Sequence, residues 1–292
     1  MNCDFCPRHC NVDRDTSKGY CGESNIVRVG RAALHFYEEP IISGTEGSGA
    51  IFFSGCNLKC EYCQNFDLSR SKIGKELTIS QLATIMRRLE EDGANNINLV
   101  TPSHFYRQIK SALDVYRPNI PIAYNCCGYE SEKSIRELDG YVDIYMTDLK
   151  YIDSSTAQRY SHCANYFEVC ANAISQMSAQ IGASEYDERG ILRRGLIIRH
   201  LVLPSHVRES VNILEYIREH YPDAIVSVMF QYVPCGNANR FEEINRSLNT
   251  LEIKAVTAAV KRLDFAQGFI QDVSAASTDY IPEFDYTGLE DL

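Results

Sequence analysis

Short apolar runs recur along the chain, separated by stretches whose apolar positions repeat with a period near four. The runs at 50–54, 97–100, 121–125, 142–148, 196–203 and 224–232 have the length and β-branched content of buried strands. The intervening stretches predict helices over 79–92, 103–116, 130–138, 167–182, 207–220 and 251–264. Capping chemistry supports three of these starts: Ser80 for the first, Ser103 for the second, and Glu130 with Ser131 for the third. Strands spaced by helices imply βαβ units and a parallel sheet, and six units imply an α/β fold, an incomplete (β/α)6 TIM-like barrel. A last strand is expected over 268–273. The expected organisation is an N-terminal cysteine-rich metal-binding module over 1–45, the partial barrel over 46–275, and an acidic C-terminal tail over 276–292. No internal repeat interrupts this plan.

The chain has 292 residues, enough for one large core, and 45% of them are hydrophobic. Twenty-nine Lys and Arg stand against thirty-nine Asp and Glu, a formal charge of −10. An acidic surface argues against non-specific nucleic-acid binding, which depends on neutralising phosphates. The longest apolar runs are too short to span a bilayer, so no membrane partner is expected. The opening residues show neither a basic nor an apolar leader segment, which points to the cytoplasm.

Twelve cysteines in such a chain read as metal ligands or reactive groups rather than disulfides. Three of them, Cys56, Cys60 and Cys63, lie on one loop directly after the first strand, at the rim where barrels carry their active sites. Three thiolates this close can grip three irons of a [4Fe–4S] cube. Ferredoxin clusters take four cysteines, so one iron would stay open to a chelating ligand. A zinc loop is the alternative, but structural zinc sites want four ligands, commonly on paired arms.

The spacing C-x3-C-x2-C, with Cys63-Gln64-Asn65 after it, resembles the radical S-adenosylmethionine (SAM) superfamily. Around it, Gly47-Ser48-Gly49-Ala50-Ile51-Phe52-Phe53-Ser54-Gly55 looks like the first strand of proteins labelled as relatives of the pyruvate formate-lyase activating enzyme. Asn98-Leu99-Val100-Thr101-Pro102-Ser103-His104, Thr147-Asp148-Leu149-Lys150, Arg199-His200-Leu201-Val202-Leu203-Pro204 and Cys6-Pro7-Arg8-His9-Cys10 are similar to the same subgroup. The resemblance implies reductive cleavage of SAM to a 5′-deoxyadenosyl radical that abstracts hydrogen from a substrate. It also implies a flavodoxin- or ferredoxin-type electron donor. By the same resemblance Tyr62 would lie against the adenine, although a core tyrosine reads equally well, and Asn65 would border the cofactor. The end of the second strand would meet the SAM amino group. That place is held by Thr101-Pro102-Ser103-His104 without the superfamily's glutamate, so Thr101, Ser103 or backbone carbonyls must substitute. His104 reads as a partly buried helix residue. At the third strand Asn125-Cys126-Cys127-Gly128 replaces an Asp-Thr-Asn-Gly pattern, which puts a monovalent-cation site in doubt. Asp148 and Lys150 share one strand face and would contact the ribose and carboxylate of SAM; a mutual salt bridge is the simpler alternative. Arg199 interrupts an apolar strand and needs an anion, for which the SAM carboxylate is the candidate. Gln231 and Tyr232 should also reach the rim.

Cys3, Cys6, Cys10 and Cys21 form a second set in a segment with little core of its own. Either a second [4Fe–4S] cluster or zinc suits four thiolates, and such a module would relay electrons or dock a partner. Cys127 and Cys235 are expected near the same rim as possible catalytic hydrogen-atom donors, whereas Cys163 and Cys170 read as small buried hydrophobes. Three functions remain open. The first is activation of a glycyl-radical enzyme, a protein substrate. The second is direct radical modification of a peptide or small molecule, with a cysteine as donor. The third is a non-catalytic iron–sulfur electron carrier.

Overall fold

The computed structural model describes residues 3–271 and 282–290. The first half runs β1 (Val27–His35), α1 (Pro40–Ser43), β2 (Ser48–Phe53), α2 (Phe66–Ser69), β3 (Lys75–Leu77), α3 (Ile79–Glu91), β4 (Ile97–Val100), α4 (Tyr106–Val115), β5 (Ile122–Cys126) and α5 (Glu132–Glu137). Then follow β6 (Ile144–Asp148), α6 (Ser154–Ser161), α7 (Tyr166–Ile181), β7 (Glu185–Tyr186), β8 (Leu192–Leu201), α8 (Val207–His220), β9 (Ile225–Met229), α9 (Thr250–Leu263) and β10 (Gly268–Gln271). The strand order is β10-β9-β8-β6-β5-β4-β2-β1-β3, with β7 paired to β8. From β2 through β10 along that path every neighbour is parallel, as the alternating strands and helices require. The expected incomplete α/β barrel therefore forms, with the strand expected near 268–273 present as β10.

The six expected helices correspond to α3, α4, α5, α7, α8 and α9, with ends shifted by a few residues. One cap differs. Thr78, not Ser80, starts α3, because Thr78 and Gln81 satisfy each other's backbone N–H groups in a reciprocal box. Leu82, Ile85, Met86 and Leu89 then fall on one buried face, and each such side chain contributes roughly 1.5–3 kcal/mol by leaving water. Ser131 caps α5 as expected. Ser103 caps nothing: it opens a 3-10 turn before α4 and gives its hydroxyl to Glu130.

The boundary expected at residue 45 falls inside the barrel. β1 pairs antiparallel with β2, and a bulge between Val29 and Arg31 breaks the two-residue period that would have marked it as a strand. Residues 36–43 then turn into the barrel. Ile41 and Ile42 of α1 pack with Ala123, Ile144, Met146, Leu192, Ile197, Ile225 and Phe269, closing the floor with a strand-lined apolar plug. Side-chain amides of Asn96 and Asn95 hold the plug's carbonyls at Ile42 and Ser43. The expected tail lies partly outside the described residues. Its described part, 282–290, straps β1: Thr287 accepts from Ala32 N–H, Asp285 pairs with Arg31 at 3.0 Å, and Leu289 is fully buried.

Candidate active site

The C-terminal ends of the parallel strands surround a cavity of about 500 Å³, within the size range of pockets for nucleotide-sized ligands. Cys56, Cys60 and Cys63 line it, together with Tyr62, Asn65, Thr101, Asn125, Cys127, Asp148, Lys150 and Arg199. Residues from Cys56 to Arg199, far apart in sequence, thus meet in one chamber. The loop after β2 turns so tightly that backbone N–H groups of Leu58 and Lys59 point at Cys56 Sγ, at 3.3 and 3.5 Å. The Cys127 thiol hydrogen-bonds to Cys56 and, with those amides, lowers the Cys56 pKa to about 6 against the opposing pull of burial. Ser161 donates to Cys60 Sγ at 3.0 Å, although burial still raises that thiol. Burial pushes Cys63 up to about 12. Among the described residues no three His, Cys, Asp or Glu side chains converge on a single-ion site.

A charged row leads away from the thiols. Lys150 donates to Asp148 Oδ2 at 2.6 Å, and Arg199 Nε donates to Asp148 Oδ1 at 2.9 Å. The remaining nitrogens of Arg199 reach Asn125 Oδ1 at 2.6 Å and Glu38 Oε2 at 3.4 Å. Burial works against the charge on Asp148, but Lys150 and Arg199 hold its pKa below the ordinary value. Lys150 lies within electrostatic reach of Cys60 and Cys127, and Asp148 uses one of its three N–H donors. Thr101 holds a left-handed backbone, φ +60°, where β4 ends, a conformation costly for a β-branched residue and concentrated at functional sites.

A model described as the radical SAM superfamily matches residues 50–174, the stretch carrying the thiol loop, β4, β5 and β6. The chain belongs to the radical SAM superfamily. An uncharacterised protein of Methanocaldococcus jannaschii is 32% identical over 271 residues, covering 89% of this chain and 75% of that protein. The pyruvate formate-lyase-activating enzyme of Clostridium pasteurianum is 21% identical over 230 residues, covering 74% of this chain and 87% of that one. Among solved structures, the crystal structure of QueE from Escherichia coli aligns with 84% of this chain and 94% of its own, at 12% identity and a TM-score of 0.44.

Radical SAM membership implies a [4Fe–4S] cluster and SAM, and the donor set suits both. Three thiols face one chamber, one of them is already acidified, and a lysine stands beside them for a carboxylate. Other expected residues have structural roles. His104 is fully buried; its Nε2 donates to Ser54 O at 2.6 Å, and burial lowers its pKa to about 3, so it is a neutral core histidine. His200 points away from the cavity, bonded to Leu149 O and Ser210 Oγ, and burial lowers it to about 4. Gln231 lines the cavity, but Tyr232 is core, its hydroxyl bonded to Ile244 O at 2.8 Å. Tyr62 does both: its ring lines the chamber while its hydroxyl meets Tyr151 at 2.6 Å. Cys235 and Ser103 lie outside the lining, and Cys163 and Cys170 are buried in the core.

Sequence reasoning missed Glu38, Glu39 and Asn98. Two adjacent glutamates between His35-Phe36-Tyr37 and Pro40-Ile41-Ile42 were the available signal, as was an asparagine inside the apolar run of β4.

The N-terminal thiols gather separately. A Cβ on Gly19 would stand 3.5 Å from both Cys10 Sγ and Cys21 Sγ, and Cys6 and Cys3 are their electrostatic neighbours. Tyr20 N–H points at Cys10 Sγ at 3.2 Å. Burial pushes Cys6 up to about 12 and Cys21 to about 11 as bare thiols. The two thiol sets touch through the backbone: Cys56 N–H donates to Cys21 C=O at 3.3 Å, and Arg8 Nε donates to Asn57 O at 2.8 Å.

Proposed function

We propose that this radical SAM enzyme acts on a protein, abstracting hydrogen from a backbone glycine of a partner enzyme. The observation that carries this reading is the 21% likeness to a pyruvate formate-lyase-activating enzyme over most of both chains. Bound together, cluster and SAM would supply a 5′-deoxyadenosyl radical by one-electron cleavage of the sulfonium. The chain's own residues bind and orient. Cys56, Cys60 and Cys63 would hold the cluster and Lys150 would neutralise the SAM carboxylate; Asp148 fixes Lys150 and Arg199, and Tyr62 and Asn65 would wall the nucleoside. That radical would take a hydrogen atom from a substrate C–H bond, leaving the unpaired electron on the substrate. The cytoplasm, with a flavodoxin- or ferredoxin-type reductant, is the compatible setting.

A second reading rests on Cys127, whose thiol faces the thiol trio and the cavity. Its S–H could return a hydrogen atom to a substrate radical, the resulting thiyl taking an electron and a proton from the reductant. One experiment separates the two. Cluster-loaded protein, reductant, SAM and a glycyl-radical enzyme should release 5′-deoxyadenosine and give a glycyl doublet by electron paramagnetic resonance. Release of 5′-deoxyadenosine without that doublet, with a solvent-derived hydrogen in a small product that Cys127→Ala no longer incorporates, would favour direct modification.

The four N-terminal thiols are read as a second metal site coupled to the barrel through the Cys21–Cys56 backbone bond; their failure to converge on one ion favours a [4Fe–4S] cluster over zinc. With a cluster there, the module would pass electrons inward. In a Cys3→Ala/Cys6→Ala protein, iron and sulfide should fall to about half for a cluster, or zinc should disappear. Unchanged iron, sulfide and zinc would remove this site.

A further inference from the structure

Glu38 and Glu39 enter the barrel from the β1–α1 connection, far in sequence from every expected ligand. Glu38 lines the same cavity as the thiols. Its Oε1 accepts from Asn98 Nδ2 at 2.9 Å and from Asn125 Nδ2 at 3.3 Å, and its Oε2 faces Arg199. Glu39 is 1% exposed, and its carboxylate faces Ser227 without a well-formed hydrogen bond. Asn98 is fully buried and leaves Oδ1 unpartnered beside Glu38, and Ser227, opposite Arg199 on β9, faces Glu39. Buried polar groups left without partners are rare in native proteins and mark a place where something else completes the bonds.

Charge points to what that is. Among the described residues Glu38, Glu39 and Asp148 face Lys150 and Arg199, three carboxylates against two cations. His35, the histidine on the cavity wall, is kept from protonating by burial and does not correct the balance. Burial raises the pKa of both glutamates despite Arg199. The acceptors are several and the donors few, which suits a small, multiply donating cation.

We propose that Glu38, backed by Glu39 and Asn98, is the receptor for an alkylammonium group admitted to the cavity. This rests on the cavity being the SAM site. Two sources carry that chemistry: the amino group of SAM itself, for which the end of β4 offers no carboxylate, and an amine on the substrate. Of these groups Glu38 is the one that lines the cavity, so an ammonium would meet its carboxylate, with Asn98 and Glu39 behind it.

The test uses the cluster-loaded protein, unreduced and anaerobic, and reads binding instead of turnover. SAM and 5′-methylthioadenosine, which lacks the amino and carboxylate groups, are titrated into the native protein and into Glu38→Gln. If the amino group of SAM is the cation, SAM binds roughly 10- to 100-fold more weakly to Glu38→Gln while methylthioadenosine binds as before. If the substrate supplies it, SAM affinity stays and n-butylamine, titrated in the presence of saturating SAM, binds the native protein but not Glu38→Gln. The proposal fails if Glu38→Gln binds SAM and butylamine like the native protein. It also fails if SAM and methylthioadenosine weaken together, which would mark a structural role. A native protein that binds neither nucleoside would overturn the SAM site itself, and this proposal with it.

Discussion

Cys60→Ala, reconstituted anaerobically with iron and sulfide, is expected to lose the barrel cluster, about four irons, and to cleave SAM only at background. Cys60 stands between the other two thiols of the loop, receives the Ser161 hydroxyl and lies within electrostatic reach of Lys150. Two thiolates cannot hold a cube against excess chelator, so the loss should be all-or-none instead of graded. Since the cluster binds only the folded chain, its loss also removes the stabilisation that binding confers. Cys163→Ala is the matched control: that thiol is also buried but lies outside the cavity lining, beside Asn165 and Tyr129, and it should keep iron, absorbance and SAM cleavage. Equal iron in the two variants would contradict the assignment of the trio.

Arg199→Leu should cost about 3–5 kcal/mol of folding stability, roughly 10 °C in midpoint for a chain of this size. Arg199 is the shared counter-charge of Asp148 and Glu38 and the nearest cation to Glu39. Removing it leaves three buried carboxylates with Lys150 alone. The pH dependence follows from the sign. Burial already raises Glu38 and Glu39 above the ordinary 4.5, and losing Arg199 raises them further. The folded state then holds protons that the unfolded chain has released. Stability therefore falls as pH rises through and above the ordinary carboxylate range. The deficit against the native protein should be largest near pH 8 and shrink toward pH 5. Denaturation curves at both values measure it; a deficit independent of pH would show that lost packing, not stranded charge, is the cause.

The barrel was legible because its strands are buried on both faces and its helices carry one apolar stripe, patterns that survive in a linear reading. β4 and α8 have the expected bounds, and the thiol loop announces its own chemistry by spacing. What escaped depended on three-dimensional context. β1 carries a bulge, so its alternation is broken where it would have been read. α1 is four residues long, too short for any helical period, yet it plugs the barrel. Ser80 was a sound cap by type and lost to Thr78 because only Thr78 has a glutamine three positions on to complete the box. Asp148, Lys150 and Arg199 were found as charges stranded in apolar strands. Glu38 was not, because it sits in a polar-looking connection that gives no hint of turning inward.

The link between Glu38 and Arg199 spans 161 positions of chain. During synthesis the two glutamates emerge early, and the guanidinium that compensates them appears only after two-thirds of the polypeptide has been made. Until β8 docks, the interior acids stay hydrated and the floor plug has no finished walls to fill. Closure of the chamber is thus a late, non-local event, of the kind that slows folding and leaves half-built sheets exposed to self-association.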